Sequence, residues 1–299
     1  DRIKSWNLLA HTPEFSFAGV NPCAEEPLPA GGSCLLGSMN LANFVNDPFT
    51  PNATFDFDEF KRCVRIAVRA LNDVLEEGLP LHPLEEQRES VKAWRQIGLG
   101  IMGFADLLFR LGIGYNTDAA IALARELMGF IRDRGREASR NFAMADTAIA
   151  ASAELAHQRG AFEKCHIDEI MSTPYFKANT TEATAKLVKE YGLRNSQLLT
   201  IAPTGTLSTM LGISGGIEPI YANFYERKTE SLHGTDVYYK VYTPIVERYM
   251  KKHHIKDDGQ LPEYFVTALT LDYHKNDEKK EAWQQHINKY ISSTVNVHN

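Results

Sequence analysis

Hydrophobic side chains recur at close to a 3.6-residue period over residues 58–77, in the stretch DEFKRCVRIAVRALNDVLEE. Such spacing places the apolar positions on one face of a helix, which then packs against a core. The pattern therefore predicts an amphipathic helix from Asp58 to Glu77. The region IALARELMGFIRDRGREASRNFAMADTAIAASAELAHQRG, which begins at Ile121, predicts further long helices rich in small residues.

Three short apolar runs lie between or after these helical patterns. RQIGLGIMGFADLL (95–108) predicts a strand that leads into a helix. QLLTIAP (197–203) predicts a second strand, and the Thr-Gly-Thr and the apolar segment that follow it predict a loop and a helix. STVNV (293–297) predicts a further strand. Strands that alternate with long helices are typical of an α/β fold with parallel strands, either an open sheet or part of a barrel. No repeat or low-complexity linker divides the chain.

Composition narrows the class of protein. The 299 residues are 43% hydrophobic and 23% charged, which is typical of a folded protein with a sizeable core. The formal charge of −6 argues against a nucleic-acid binder, which needs a basic face. The uncharged stretch 196–217 contains Pro203 and several glycines, so we interpret it as buried soluble structure and not as a membrane span.

The N-terminus and the cysteines indicate how the chain was processed and in which cellular compartment it functions. The chain has no initiator methionine and no apolar signal core at its start, so we expect a processed or excised fragment. Its four cysteines are too few and too irregularly spaced for a disulfide framework, which favours a reducing, cytoplasmic location. No C-x-x-C pair is present, so no metal site is predicted. Cys63 and Cys165 are interpreted as packed or idle thiols.

Three glycines offer an alternative function. Gly98, Gly100 and Gly103 fit the pattern G-x-G-x-x-G, which in a nicotinamide-dependent oxidoreductase opens a dinucleotide-binding helix. That motif requires an apolar strand directly before the first glycine, and VKAWRQI provides little of one. The simpler interpretation is close packing of a strand against a helix.

The strongest candidate chemistry is in NPCAE, residues 21–25. In an extended loop Asn21, Cys23 and Glu25 would point to the same side, because alternate residues share a face. A carboxylate beside a thiol disfavours the thiolate, so one-electron chemistry at sulfur fits better than nucleophilic catalysis. The residues alone leave a structural cysteine in an acidic loop equally open.

The longer stretch NPCAEEPLPAGGSCLLGSMNLANFV (21–45) resembles the active-site finger of ribonucleotide reductases, in particular the adenosylcobalamin-dependent class II enzymes. The segments 95–108, 192–208 and 215–228, and the final HINKYISSTVNVHN, resemble the same family in the same order. The resemblance implies the finger loop and the second half of a ten-stranded α/β barrel. We therefore expect one partial domain over 1–299, with a finger loop at 21–40 and a phosphate loop at 202–208.

The resemblance also implies roles for single residues. Cys23 corresponds to the thiyl-radical carrier that removes the 3′-hydrogen of a ribonucleotide, and Glu25 to the base for the 3′-hydroxyl. Asn21 corresponds to a hydrogen-bonding partner of the sugar, and Cys34 to one member of a redox pair whose partner lies in the absent half-barrel. The substrate-binding positions of the resemblance are Pro22, Ala24, Ala202, Pro203, Thr204, Gly205, Thr206 and Leu207.

The predicted phosphate loop has a physical basis in these residue types. Thr204 and Thr206 carry hydroxyl donors, Gly205 permits close approach of the backbone, and the following helix offers unpaired N–H groups. A Pro-Thr-Gly-Thr turn by itself is a common capped helix start. The neighbouring finger motif favours the functional interpretation.

The implied partners are adenosylcobalamin, a ribonucleoside di- or triphosphate, a thioredoxin-like reductant and the missing N-terminal half-barrel, which in the family carries an allosteric site. We also expect a homo-oligomer, because a half-barrel exposes strand edges. One alternative is a class I large subunit, which receives its radical through paired tyrosines. Tyr238 and Tyr239 follow the phosphate loop too soon to match that pair. We therefore interpret them as part of a packed or amphipathic segment. A second alternative is a non-catalytic half-barrel that serves only in assembly.

Overall fold

The computed structural model describes residues 2–128, 144–229, 237–271 and 292–293. Its strands are β1 (Gly19–Val20), β2 (Pro27–Leu28), β3 (Leu36–Asn40), β4 (Val45–Asn46), β5 (Thr54–Phe55), β6 (Gly98–Met102), β7 (Thr200–Ile201), β8 (Phe224–Thr229), β9 (Val237–Tyr242) and β10 (Ser292–Ser293). Its helices are α1 (Arg2–Ser5), α2 (Phe57–Gly78), α3 (Glu85–Trp94), α4 (Phe104–Leu111), α5 (Asp118–Met128), α6 (Ala145–Arg159), α7 (Ile167–Ser172), α8 (Pro174–Asn179), α9 (Glu182–Tyr191), α10 (Gly205–Leu211) and α11 (Pro244–Lys252).

Four strands lie side by side and parallel, in the order β3, β6, β7, β10. β3 pairs with β6 in the register Leu36 to Gly98, a parallel bridge joins Leu99 to Leu199 next to β7, and β7 pairs with β10. Parallel neighbours require long crossover connections, and the helices between these strands provide them. The predicted α/β fold with parallel strands is therefore confirmed.

The long helix α2 confirms the helix predicted over 58–77. It begins after Asp56, whose side chain accepts a hydrogen bond from the Glu59 N–H at 2.9 Å and so caps the first turn. The residues that it buries are Phe60, Val64, Val68, Leu71, Asn72 and Leu75. All of these side chains except Asn72 pack in the main hydrophobic core together with residues of β6 and α6.

The glycine pattern at 98–103 belongs to a strand and not to a nucleotide-binding turn. Gly98 and Gly100 lie within β6, and only Gly103, with φ +72°, lies at the turn into α4. A Cβ on Gly98 would lie 2.5 Å from Cγ2 of Thr200, and one on Gly100 would collide with the Thr200 carbonyl oxygen. These glycines allow β6 and β7 to approach, so the dinucleotide-binding alternative does not fit.

Several other predicted elements can be compared with the structure. The helices predicted from Ile121 onward correspond to α5 and α6, and residues 129–143 between them lie outside the described part. The strand predicted at 293–297 is described only at Ser293, in β10. Tyr238 and Tyr239 are 62% and 53% exposed on β9, whereas Tyr242 of the same strand is half-buried against a second hydrophobic cluster. Of the two interpretations of this segment, the structure fits an amphipathic strand and not a fully packed one.

The uncharged stretch 196–217 contains the strand β7 and the short helix α10, so it does not form one continuous helix. No helix among the described residues has the length and apolar character needed to cross a membrane.

Candidate functional site

The finger loop is closed at its base by a small antiparallel pair. β1 pairs with β2, which leaves residues 21–26 as the connecting loop. The Asn21 N–H donates to the Glu26 carbonyl at 3.2 Å, and the Ala24 N–H donates to the Asn21 carbonyl at 2.8 Å. Ala24 has φ +62°, in the left-handed region. The loop is a tight turn, so the extended geometry expected for NPCAE is wrong.

The turn separates its side chains by exposure. Pro22, Cys23 and Ala24 are exposed at the tip, whereas Glu25 is only 1% exposed. The Thr200 hydroxyl donates to the Glu25 carbonyl at 2.6 Å, which fixes the loop to β7. One carboxylate oxygen of Glu25, Oε2, is buried and has no hydrogen-bond partner within the described residues. This oxygen is therefore an unused hydrogen-bond acceptor.

Asn21 brings the second thiol to the same place. Its Nδ2 lies 3.9 Å from Sγ of Cys34, and its Oδ1 accepts a hydrogen bond from the Glu26 N–H at 2.9 Å. The pKa of Cys34 is raised to about 12, first by burial and then by the Glu26 carboxyl, with smaller effects of Glu25 and Cys23. The structure thus groups Asn21, Cys34 and two carboxylates, and Cys23 is close enough to act on Cys34.

Glu26 is a site residue that the sequence interpretation missed. It is 1% exposed, and burial raises its pKa to about 7, against the hydrogen bond from the Cys34 thiol and with a further rise from the charge of Glu25. The available signal was the pair of adjacent carboxylates in CAEE. An alternation argument assigns the second of two adjacent residues to the opposite face, and the tight turn invalidates that argument.

The predicted phosphate loop connects β7 to α10. Ala202 is buried and Pro203 is half-buried, and Thr204 adopts the left-handed region with φ +54°. The Thr204 hydroxyl accepts a hydrogen bond from the Gly216 N–H at 2.9 Å. The Thr204 oxygen therefore holds the neighbouring loop 213–216, and its own O–H stays available as a donor.

The tip of this loop is open to solvent. Gly205, Thr206 and Leu207 are exposed, and no atom lies within 4 Å of a Cβ built on Gly205. The glycine therefore relieves no crowding within the chain. The first N–H groups of α10, as at the start of any helix, have no partner within the helix.

Asp106 is a second residue that the sequence interpretation missed, and it holds the segment 213–216 that contacts the phosphate loop. Asp106 is 1% exposed, and its Oδ2 accepts a hydrogen bond from the Ser214 N–H at 2.7 Å. The Gly103 N–H donates to the Ser214 carbonyl at 2.9 Å, so the start of α4 holds the same segment. Burial raises the pKa of Asp106. Asp106 positions loop 213–216, which in turn holds Thr204.

The two loops are joined through β7. Thr200 holds the finger loop by its hydroxyl and lies two residues before Ala202, where the phosphate loop begins. A ligand that contacts both loops would have its phosphate at the phosphate loop and its reacting group at the finger loop. Both loops are anchored to β7. Of the predicted residues, Glu25 is buried and Asn21 is half-buried, whereas Cys23, Cys34 and Thr206 are exposed.

The buried carboxyl of Glu26 predicts a pH dependence of stability. Its pKa is about 7 in the folded chain against 4.5 for an ordinary glutamate, so the folded state binds the proton more tightly than the unfolded state. Stability from this group is therefore complete below pH 4.5 and falls as the pH rises to 7, by about 3 kcal/mol. We expect Glu26→Gln to remove this fall, as measured by urea unfolding at a series of pH values.

The exposed Glu89 on α3 provides a matched control, because Glu89→Gln makes the same change of charge in solvent. Its unfolding free energy should follow that of the wild type at every pH. Equal pH slopes for the wild type and Glu26→Gln would show that the Glu26 carboxyl titrates normally.

Comparisons with known proteins agree with this fold. The family model described as ribonucleotide reductase, barrel domain, matches residues 6–299. The chain therefore belongs to the ribonucleotide reductase family, and the half-barrel of parallel strands is part of that barrel.

Two curated relatives carry the same name, vitamin B12-dependent ribonucleoside-diphosphate reductase. The protein of Thermoplasma acidophilum is 30% identical over 295 residues, covering 93% of this chain and 34% of its own length. A protein of Mycobacterium tuberculosis is 31% identical over 292 residues, covering 93% of this chain and 37% of its own length. The chain spans about a third of the length of these relatives.

A solved structure shows the same fold. The alpha subunit of the Actinobacillus ureae class Id ribonucleotide reductase matches with a TM-score of 0.63 and 19% identity. The match covers 95% of this chain and 48% of that subunit. The described elements therefore correspond to about half of a reductase alpha subunit.

Proposed function

We propose that this chain is part of an enzyme that reduces ribonucleotides to deoxyribonucleotides by a thiyl-radical mechanism, for DNA synthesis. The observation that carries the proposal is the segment 21–34, which holds two exposed thiols and two buried carboxylates and is anchored by Thr200 to the strand before the phosphate loop. Membership of the ribonucleotide reductase family supports the assignment.

In the proposed reaction, Cys23 carries the radical and removes the 3′-hydrogen of the substrate. Its exposure at the loop tip supports this role, since the sulfur must reach both a radical source and the sugar. Glu25 accepts the proton of the 3′-hydroxyl, which promotes loss of the 2′-hydroxyl as water. A buried carboxylate oxygen without a partner suits such a base.

The other predicted residues bind and orient. Asn21 orients the sugar without titrating, and it also holds Cys34 and the Glu26 backbone. Cys34 supplies reducing equivalents and ends in a disulfide with a cysteine of the remaining part of the enzyme. Residues 202–207, together with the flanking Pro22 and Ala24, contact the substrate, and the open N–H groups at the start of α10 hold its phosphates.

Adenosylcobalamin is the proposed cofactor. The names of the two relatives described above support it, and an exposed Cys23 fits a radical source that approaches the loop from outside. When bound, adenosylcobalamin supplies that radical chemistry through its cobalt–carbon bond. A class I large chain is the second candidate, because the reductase alpha subunit of Chlamydia muridarum is 30% identical over 262 residues.

The proposed partners follow from the incomplete barrel. Within the described residues β3 pairs with β6 on one side only, and an open strand edge readily pairs with another strand. We propose that this edge meets the remaining half-barrel, which also carries the effector site. A thioredoxin-like dithiol re-reduces the enzyme, and the whole assembles as a homo-oligomer in the cytoplasm.

The test is reconstitution of activity. The chain, combined with the polypeptide that supplies the remaining length of its relatives, is incubated with a ribonucleoside di- or triphosphate, a dithiol and adenosylcobalamin. We expect deoxynucleotide formation that requires the cobalamin. Product that requires a separate radical-generating subunit would favour the class I reading, and no product from a folded, nucleotide-binding complex would favour a non-catalytic half-barrel.

A further inference from the structure

Thr204, in the predicted phosphate loop, has a backbone conformation that its residue type disfavours. Its φ is +54°, in the left-handed region, where a β-branched residue is a rare exception. Such a conformation costs free energy, persists only where the surrounding structure enforces it, and occurs most often at functional sites. The contacts that hold Thr204 are therefore candidates for a functional role.

Loop 213–216 supplies the contacts that hold Thr204. The Gly216 N–H donates to the Thr204 hydroxyl oxygen at 2.9 Å. A Cβ on Gly215 would lie only 3.0 Å from the Pro203 carbonyl oxygen, so the two backbones lie directly against each other. A displacement of loop 213–216 would therefore break the hydrogen bond to Thr204 and release its strained conformation.

Loop 213–216 is itself fixed to the start of α4. Oδ2 of Asp106 accepts a hydrogen bond from the Ser214 N–H at 2.7 Å, and the Gly103 N–H donates to the Ser214 carbonyl at 2.9 Å. Asp106 and Ser214 are both buried, so water does not compete for the bond between them. Two further hydrogen bonds, from Ser214 to Gly216 along the loop and on to Thr204, thus depend on a fixed anchor in α4.

Discussion

Cys23→Ser is expected to abolish ribonucleotide reduction in the reconstituted enzyme, with a loss of at least about a thousand-fold. A serine O–H does not readily give up a hydrogen atom, so the radical cannot be carried at this position, whereas size and hydrogen bonding change little. Because Cys23 is exposed at the tip of the turn, the replacement should not affect folding. The measurement is deoxynucleotide formation, with unfolding midpoints recorded for both proteins.

Cys63→Ser is the matched control. Cys63 lies half-buried on α2, where its thiol donates to Glu59 at 3.4 Å, away from the finger loop. This variant should retain nearly full activity. Substantial activity in Cys23→Ser would exclude Cys23 as the radical carrier, and comparable losses in both variants would indicate a general requirement for thiols.

Gly100→Ala is expected to cause the largest loss of stability, about 3 kcal/mol in the free energy of unfolding. An added Cβ would collide with the Thr200 carbonyl oxygen and lie 3.1 Å from the Ile201 Cα. Both obstacles are backbone atoms, so no side chain can rotate away and β6 and β7 must separate. Urea unfolding measures the loss.

The same substitution should also disturb the site. Thr200 holds the Glu25 carbonyl, so a displaced β7 moves both the finger loop and the start of the phosphate loop. Gly78→Ala at the end of α2 is the control, because no atom lies within 4 Å of the added Cβ and alanine favours a helix. Equal unfolding free energies for these two variants would show that the strands have room to spare at Gly100.

Local sequence pattern was sufficient for the elements that carry a strong period or a specific motif. The apolar spacing of 58–77 identified α2 nearly to its ends, because one buried stripe on a 3.6-residue helix is visible without any tertiary contact. The alternation of strands and helices identified the α/β class. The finger motif identified the family, since its residues are specific in type and spacing.

Other features depended on contacts between residues distant in the chain. The glycines of β6 fit a nucleotide-binding pattern by spacing, and only their contact with Thr200 reveals why they are glycine. The aromatic residues of VYYKVY fit a packed segment by composition, and only the exposed hairpin β8–β9 places Tyr238 and Tyr239 in solvent.

The sequence by itself determined the α/β class, the long helix, the family and the identity of the thiols and of Glu25 as site residues. Only the tertiary structure decided that the finger is a tight turn anchored to β7, and that Glu26 is enclosed beside Cys34. The physical reason is that residue type and spacing report local conformation and chemistry. Burial, and with it the pKa of a carboxyl or thiol, depends on neighbours such as Gly98 and Thr200, which the chain brings close only by folding.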